Sequence, residues 1–216
     1  MALLNYIIYI SFCVLLHLLV EVVSQSEPDV RIAHTATFIN DKLYILGGGN
    51  PPFNESAPPR ETFLYLDFSS SFSTSELKWT DLSDNSIIPP HVFAAAAKGG
   101  ANNDILFSYG GGKLPGGDPM PLVYAFNTKT NTWSVPVITG ESPNGKLGIT
   151  PIADNNGLIY LYGGALSGYG PFTSEMFILD TINLSWKIAN SINAPKPRVE
   201  YGAVILLDKN IIYMGT

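Results

Sequence analysis

The stretch Leu43-Tyr-Ile-Leu-Gly-Gly-Gly49 decides the fold, because an apolar strand that runs into glycines occurs four times along the chain. The other three copies are Leu106-Phe-Ser-Tyr-Gly-Gly-Gly112, Ile159-Tyr-Leu-Tyr-Gly-Gly164 and Ile211-Ile-Tyr-Met-Gly-Thr216. Tryptophans follow the first three copies at intervals of 54 and 53 residues, at Trp79, Trp133 and Trp186. A regular period of this length is the signature of a repeat architecture.

Each copy is the second strand of a repeating unit. In the first unit the pattern predicts four strands, over Ala33–Ile39, Leu43–Leu46, Phe63–Asp67 and Leu77–Thr80. The later units have predicted first strands over Val92–Ala97, Gly148–Ala153 and Tyr201–Leu207, and the fourth unit contains two strands. No window after residue 30 has apolar residues at helical spacing, and Pro and Gly are scattered too densely for long helices. The sequence therefore predicts an all-β chain.

Composition excludes some classes of function. Charged residues make up only 14% of the 216 residues, and the net charge is −6 with no basic run. Nucleic-acid binding is disfavoured, because it depends on basic residues that neutralise phosphates. The one cysteine, Cys13, lies in an N-terminal apolar segment. Without that segment the chain has no thiol, which excludes a cysteine nucleophile and a disulfide framework.

The N-terminal segment predicts export from the cytosol. Leu3 to Val23 is overwhelmingly apolar, and small residues near Ser24 are followed at once by polar residues. We interpret residues 1–24 as a cleaved signal peptide, with 25–216 as the repeat domain. An uncleaved signal anchor, which would attach the chain to a membrane, is the alternative. Two Asn-x-Ser sequons fit this destination and predict glycosylation at Asn54 and Asn183.

The repeating unit resembles the kelch motif. Its order is strand, turn, strand, Gly-Gly, loop, then a third strand ending in Asp or Asn and a Trp about six residues later, as in Tyr160–Gly164 with Phe177–Asp180 and Trp186. The Pro197-Arg198 start of the fourth unit is similar to kelch as well. The resemblance covers about residues 30 to 216 and implies a β-propeller in which each unit is one four-stranded blade. The blades would span about 30–82, 90–136, 145–189 and, in part, 197–216.

The resemblance implies structural roles for the repeated residues. The glycines allow a bend and a close backbone approach, and the Trp and Tyr side chains pack between neighbouring sheets. Asp67, Asn127 and Asp180 are expected to bond backbone N–H groups as the chain leaves the third strand. About three and a half blades make an incomplete ring with an apolar edge at 211–216. We therefore expect a piece of a longer propeller or assembly with another chain.

The enzymatic precedent among kelch-like propellers is the galactose-oxidase group, which binds copper through Tyr and His and uses a Tyr–Cys cross-link. Cys13 lies in the targeting segment, and the histidines outside it, His34 and His91, belong to different units. We therefore expect no cofactor and no catalytic residue in this stretch. A copper enzyme whose catalytic residues lie beyond Thr216 is the alternative function.

The long loops between the second and third strands predict a binding face for a protein or a glycan. In an up-and-down blade these loops, Asn50–Glu61, Lys113–Pro121 and Ala165–Glu175, open on the same side as the connections between blades. A basic or imidazole residue precedes each first strand, and we expect the four to ring one mouth of the channel: Arg31, His91, Lys146 and Arg198. Tyr169 and Phe172 are further candidates. The alternative is that the four residues bond backbone carbonyls at blade junctions.

Overall fold

The computed structural model describes residues 27–51, 58–114, 122–166, 170–190 and 192–215. The predicted signal peptide 1–24, Asn54 and Tyr169 lie outside the described residues. Within these ranges the chain forms β-strands, no α-helix and one short 3-10 helix over Ser83–Asn85. In chain order the strands are β1 (Thr35–Ile39), β2 (Lys42–Leu46), β3 (Phe63–Asp67), β4 (Trp79–Asp81), β5 (His91–Val92), β6 (Ala95–Gly99), β7 (Ile105–Tyr109), β8 (Gly112–Lys113), β9 (Val123–Asn127), β10 (Thr132–Ser134), β11 (Ile152–Ala153), β12 (Leu158–Tyr162), β13 (Met176–Asp180), β14 (Ser185–Ile188), β15 (Gly202–Ile205) and β16 (Ile211–Met214).

The strands form antiparallel sheets in which neighbours along the chain are neighbours in space. Sheet 1 has the order β1-β2-β3-β4, sheet 2 the order β6-β7-β9-β10, and sheet 3 the order β11-β12-β13-β14. Sheet 4 contains β15 and β16, and the short strands β5 and β8 pair with each other. The predicted all-β architecture of three four-stranded units and half of a fourth is confirmed.

Apolar clusters join each sheet to the next. One cluster packs sheet 1 against sheet 2, and there the Trp133 ring lies 5.1 Å from Phe63 of sheet 1 and 4.9 Å from Phe126 of its own sheet. The second cluster packs sheet 2 against sheet 3, and Trp186 contacts Tyr109 of sheet 2 at 5.9 Å. The predicted packing of these tryptophans between sheets is confirmed. Burial of such large rings is a major stabilising term at each junction.

The turns that leave the third strands follow the predicted chemistry. The Asp67 carboxylate accepts the Ser69 backbone N–H at 2.8 Å, and the Asn127 side-chain oxygen accepts that of Lys129 at 2.9 Å. The Asp180 carboxylate accepts the Asn183 backbone N–H at 2.9 Å. Because each acceptor reaches only two or three residues along the chain, a local sequence signal predicts these turns correctly.

The first strands are shorter than predicted for a common reason. Shortly before each first strand there is a residue with a positive φ. These residues are Ala33 (56°), Phe93 (57°), Gly148 (68°) and Glu200 (50°). A left-handed residue interrupts extended backbone, so β1 starts at Thr35 and β6 at Ala95. In sheet 3 the strand shrinks further, to Ile152–Ala153, after Pro151. Proline has no N–H with which to continue a strand ladder.

The repeated glycines allow the backbones of neighbouring units to approach closely. We call Gly47–Gly48, Gly110–Gly111 and Gly163–Gly164 the glycine pairs; all six residues have positive φ. The second glycine of each pair donates its N–H to a carbonyl at the start of the next unit, as Gly48 does to His91 (2.9 Å), Gly111 to Lys146 (3.1 Å) and Gly164 to Arg198 (3.0 Å). A Cβ on the first glycine of each pair would lie within 2.4–2.8 Å of that same carbonyl oxygen.

Replacement of a first glycine should therefore destabilise the fold. At Gly110→Ala the added Cβ meets the Lys146 carbonyl oxygen at 2.4 Å in a left-handed conformation, and we expect a loss of about 2–4 kcal/mol in the free energy of unfolding. Gly112→Ala is the matched control, because its nearest neighbour is the Leu147 side chain at 3.4 Å, and it should change stability by less than about 1 kcal/mol. Urea unfolding measures both; equal losses would contradict the account of the glycine pairs.

Candidate binding face

Each unit begins with a short lead-in segment, which in the first three units lies beside the start of the loop of the same unit. The lead-in segments are Arg31–His34, His91–Ala94, Lys146–Ile149 and Arg198–Tyr201. Backbone hydrogen bonds of 2.9–3.0 Å join Ile32 to Gly49 and Leu147 to Ala165, and β5 pairs with β8 in the same way. The lead-in segments and the starts of the loops therefore share one edge of the sheets, which we call the loop face.

The left-handed residues of the lead-in segments form a hydrogen-bonded series across the sheets. Phe93 donates its backbone N–H to the Ala33 carbonyl at 2.9 Å, Gly148 to Phe93 at 3.0 Å, and Glu200 to Gly148 at 2.8 Å. An open cavity of about 440 Å³ lies against this series, lined by Ile32, His34, Ile149, Thr150 and the four left-handed residues among others. The first strands thus converge on a concave opening at the loop face.

The Arg31 side chain is held by the chain rather than presented to solvent. Its guanidinium donates to the Glu61 backbone carbonyl at 2.5 Å and to the Asp29 carbonyl at 3.2 Å. The Glu61 carboxylate lies 3.5 Å away, and the Arg31 side chain is 6% exposed. Arg31 therefore joins the lead-in segment of sheet 1 to the end of its own loop.

Lys146 likewise joins the lead-in segment of sheet 3 to the loop of the same unit. Its ammonium is 1% exposed and donates to Thr173 Oγ1 and to a Glu175 carboxylate oxygen, each at 2.9 Å. The Thr173 hydroxyl in turn donates to the Gly163 carbonyl at 2.8 Å. This network ties the loop that contains Phe172 to a glycine pair, and it leaves the Glu175 carboxylate 59% exposed on the loop face.

His91 is buried between sheets 1 and 2. Its Nδ1 lies 2.9 Å from the Pro89 carbonyl, so Nδ1 carries the proton and donates. Its Nε2 is buried and has no hydrogen-bond partner among the described residues. Burial lowers the His91 pKa below its ordinary value of 6.5, and the hydrogen bond to Pro89 opposes this in part. The ring is therefore neutral near neutral pH.

Arg198 is half-buried, and its guanidinium donates to the Gly215 and Lys196 carbonyls at 3.1 and 3.2 Å. The structure therefore places all four predicted basic or imidazole residues at equivalent lead-in positions on the loop face. Arg31, His91 and Arg198 each bond backbone carbonyls, and Lys146 bonds side chains. Their contribution to ligand binding stays a prediction.

Among the predicted site residues that the structure describes, Phe172 has the most exposed apolar surface. It is 51% exposed and pairs through a backbone bridge with Ala165, next to Leu166, which is 41% exposed. Ile32 at the channel opening is 41% exposed. Sequence reasoning missed Leu166 and Ile32, because a single apolar residue beside a strand looks like core. Only the repeat alignment, which places Leu166 just after a glycine pair and Ile32 next to Arg31, could have indicated them.

The sequon at Asn183 lies in the β13–β14 turn, at the opposite end of sheet 3 from the loop face. Asn183 is exposed, and its side-chain amide donates to the Asp180 carboxylate at 2.9 Å. Glycosylation at this residue stays a prediction.

Among the described residues no group of three or more His, Cys, Asp or Glu side chains is arranged to hold a metal ion. Nor do the described ranges contain a helix with the length and apolar character needed to cross a membrane.

Comparison with known proteins decides the family. The KLHDC2/KLHL20/DRC7 Kelch-repeats domain matches residues 33–216, which is most of the chain. The chain belongs to the kelch-repeat family. Its kelch repeats are similar to those of human Kelch domain-containing protein 10, with 26% identity over 198 residues, 87% of this chain and 42% of that protein. Human Rab9 effector protein with kelch motifs is 23% identical over 88% of this chain and 50% of its own length.

The kelch fold is also found among solved structures. The chain resembles the protein of the "Structure of YjhT" with a TM-score of 0.54 and 17% sequence identity, covering 75% of this chain and 46% of that one. This likeness shows the fold, a kelch β-propeller of which the described sheets form an incomplete ring. The chain spans half or less of the length of the curated relatives named here.

The buried His91 predicts that the kelch domain loses stability in acid. Since its folded pKa is lowered, the unfolded chain binds more protons below about pH 6.5, so this stabilisation is present above that pH and lost as pH falls. Stability should therefore fall as the pH is lowered from 7.5 to 5. Urea unfolding at both pH values should show a smaller pH dependence for His91→Gln than for the unsubstituted chain. The same dependence in both would contradict this role of His91.

Proposed function

We propose that this chain is a non-enzymatic, secreted or cell-surface kelch module that binds a partner protein through its loop face. The observation that carries the proposal is the pairing of three lead-in segments with the starts of their loops, beside one concave opening. Kelch repeats generally mediate interactions between proteins, and the family match extends over nearly all of the described residues. Loops on a rigid sheet scaffold are common positions for binding residues.

The chemistry of the loop face suits a protein partner. Phe172 and Leu166 supply exposed apolar surface, and the exposed Glu175 carboxylate lies in the same loop. On sheet 1 the Arg60 side chain is 62% exposed and pairs with Asp29 at 2.9 Å. An apolar centre with charged groups around it is the usual composition of an interface between proteins, in which a few aromatic residues dominate the affinity.

The buried lead-in side chains support binding indirectly. Arg31 fixes the end of the first loop at Glu61, and Lys146 fixes the third loop at Thr173 and Glu175. A loop that is already ordered in the free protein loses less conformational entropy when a partner binds. We infer that these residues act by holding the loops in place, and that the exposed residues beside them contact the partner.

The proposed location outside the cytosol is supported by the sequence. The apolar segment Leu3 to Val23, the small residues near Ser24 and the two sequons are all consistent with export. Cleavage near Ser24 would release the kelch domain, and an uncleaved segment would anchor it to the membrane. A glycan carried by the partner is the second ligand class that an extracellular loop face could bind.

The proposal is tested by binding measurements on the purified full chain. It is screened against arrays of extracellular proteins and of isolated glycans, and each hit is quantified by surface plasmon resonance. Phe172→Asp should weaken binding of the partner at least about tenfold, because it places a charge in the apolar centre of the interface. The matched control is Ile182→Asp, since Ile182 is 50% exposed but lies in the β13–β14 turn, away from the loop face.

Retained binding in Phe172→Asp, or an equal loss in Ile182→Asp, would place the interface elsewhere and contradict the proposal. Binding to isolated glycans with the same dependence on Phe172 would keep the loop face but assign it to a glycan. Thermal unfolding of each variant separates loss of binding from loss of folding.

A further inference from the structure

We infer that Asn144 is a site of spontaneous modification, at which the chain converts its own asparagine to aspartate or isoaspartate. The chain has two Asn-Gly dipeptides, Asn144-Gly145 and Asn156-Gly157. Asparagine is among the chemically labile residues of proteins. A glycine after it leaves the next backbone nitrogen without a shielding side chain. The structure distinguishes the two dipeptides, because it leaves room for the reaction at the first and holds the second in place.

The reaction uses only the two residues of the dipeptide and water. The Gly145 amide nitrogen forms a bond to the side-chain carbonyl carbon of Asn144. The bond from that carbon to the side-chain nitrogen breaks, and this nitrogen leaves as ammonia with the proton of the Gly145 amide. Water then opens the resulting imide ring. Opening at the former side-chain carbonyl gives aspartate, and opening at the main-chain carbonyl gives isoaspartate, so no oxidant or reductant is needed.

Asn144 and Gly145 lie in exposed, irregular backbone just before the third lead-in segment. The Asn144 carbonyl accepts the Tyr109 hydroxyl at 2.7 Å. In the part of the chain that the structure describes, the Asn144 side chain and the Gly145 N–H make no hydrogen bond. A Cβ on Gly145 would meet only Leu122 Cδ1, at 3.9 Å. The attacking nitrogen and the side-chain carbon therefore have room to approach each other.

Asn156 is held in a tight turn. The Asp154 carboxylate accepts the Asn156 backbone N–H at 2.9 Å, its side-chain amide at 3.2 Å and the Leu158 N–H at 2.9 Å. Gly157 is buried, and its carbonyl accepts the Thr181 N–H at 3.0 Å and the Thr181 hydroxyl at 2.6 Å. Ring closure at Asn156 turns the peptide between these anchors and breaks the side-chain bond. The turn therefore has to open before the reaction can proceed.

The product changes the loop face beside Lys146, which follows Asn144 by two residues. Aspartate adds a carboxylate ahead of the ammonium that binds Thr173 and Glu175. Isoaspartate lengthens the main chain ahead of the Lys146 carbonyl, which accepts the Gly111 N–H. Either change weakens the hold on the third loop. A loss of partner affinity as the protein ages would follow; this consequence rests on the proposed function, whereas the modification does not.

Peptide mapping by mass spectrometry tests the inference in the full chain. The purified protein is incubated at neutral pH and body temperature, and samples are digested at intervals to find an acid in place of each amide. Asn144 should be converted at least about tenfold faster than Asn156, because the Asn156 turn must first lose its hydrogen bonds. In urea the two dipeptides should react at similar rates, since the unfolded chain restrains neither.

Three variants separate the effect of the fold from that of the dipeptide. Gly145→Ala should slow conversion of Asn144, because the added Cβ shields the attacking nitrogen in a position with room for it. Asp154→Ala should speed conversion of Asn156, because it removes the carboxylate that holds this side chain. Asn156→Gln is the matched control and should leave the rate at Asn144 unchanged. Thermal unfolding shows that each variant is folded at the incubation temperature.

Equal rates at Asn144 and Asn156 in the folded chain would overturn the inference. An Asn144 that stays intact in the folded chain while the chain in urea is converted would overturn it as well. If Asn144 is converted but the aged protein binds its partner as tightly as the fresh protein, the modification stands and its effect on the loop face is contradicted. A chain without any partner would contradict the proposed function and leave the peptide map unchanged.

Discussion

The hydrogen bond between a glycine pair and the next lead-in segment is the interaction on which the arrangement of the sheets depends. The second glycine donates across the junction, and the first lies too close to the accepting carbonyl to carry a Cβ. The three junctions use this contact with distances that differ by only 0.2 Å, from 2.9 to 3.1 Å. The buried aromatic clusters supply most of the stabilisation, and the glycine contact fixes how the sheets are placed.

The same contact builds the loop face. The carbonyl that accepts the glycine N–H belongs to the first residue of the next lead-in segment. That segment is therefore fixed between two sheets. Arg31 and Lys146 then extend this order outward by binding Glu61, Thr173 and Glu175 in the loops. In the third loop, Phe172 and Glu175 are thus exposed while the Lys146 ammonium that holds the loop is buried. A surface ordered in this way is suited to the proposed recognition of a partner.

Local signals explain what the sequence could predict. The glycines, tryptophans and Asx turns each leave a pattern within a few residues, so the strand order and the turn at Asp180 were predictable. The left-handed Ala33 and Phe93 were not, because neither residue type favours positive φ and the conformation is held by a bond between sheets. Burial of Lys146 was hidden for the same reason, since its partners lie 27 and 29 residues away. The repeat alignment predicted the position of each lead-in residue but not its surroundings.

Hydrogen exchange at the second glycines tests the central claim most directly. NMR of the full chain resolves the backbone amides of Gly48, Gly111 and Gly164, each of which is predicted to donate to a neighbouring sheet. The account predicts exchange as slow as that of the β2 and β7 strand amides, because these bonds break only when the sheets separate. Exchange as fast as that of exposed turn amides would contradict it, since the sheets would then be held together without the glycine contact.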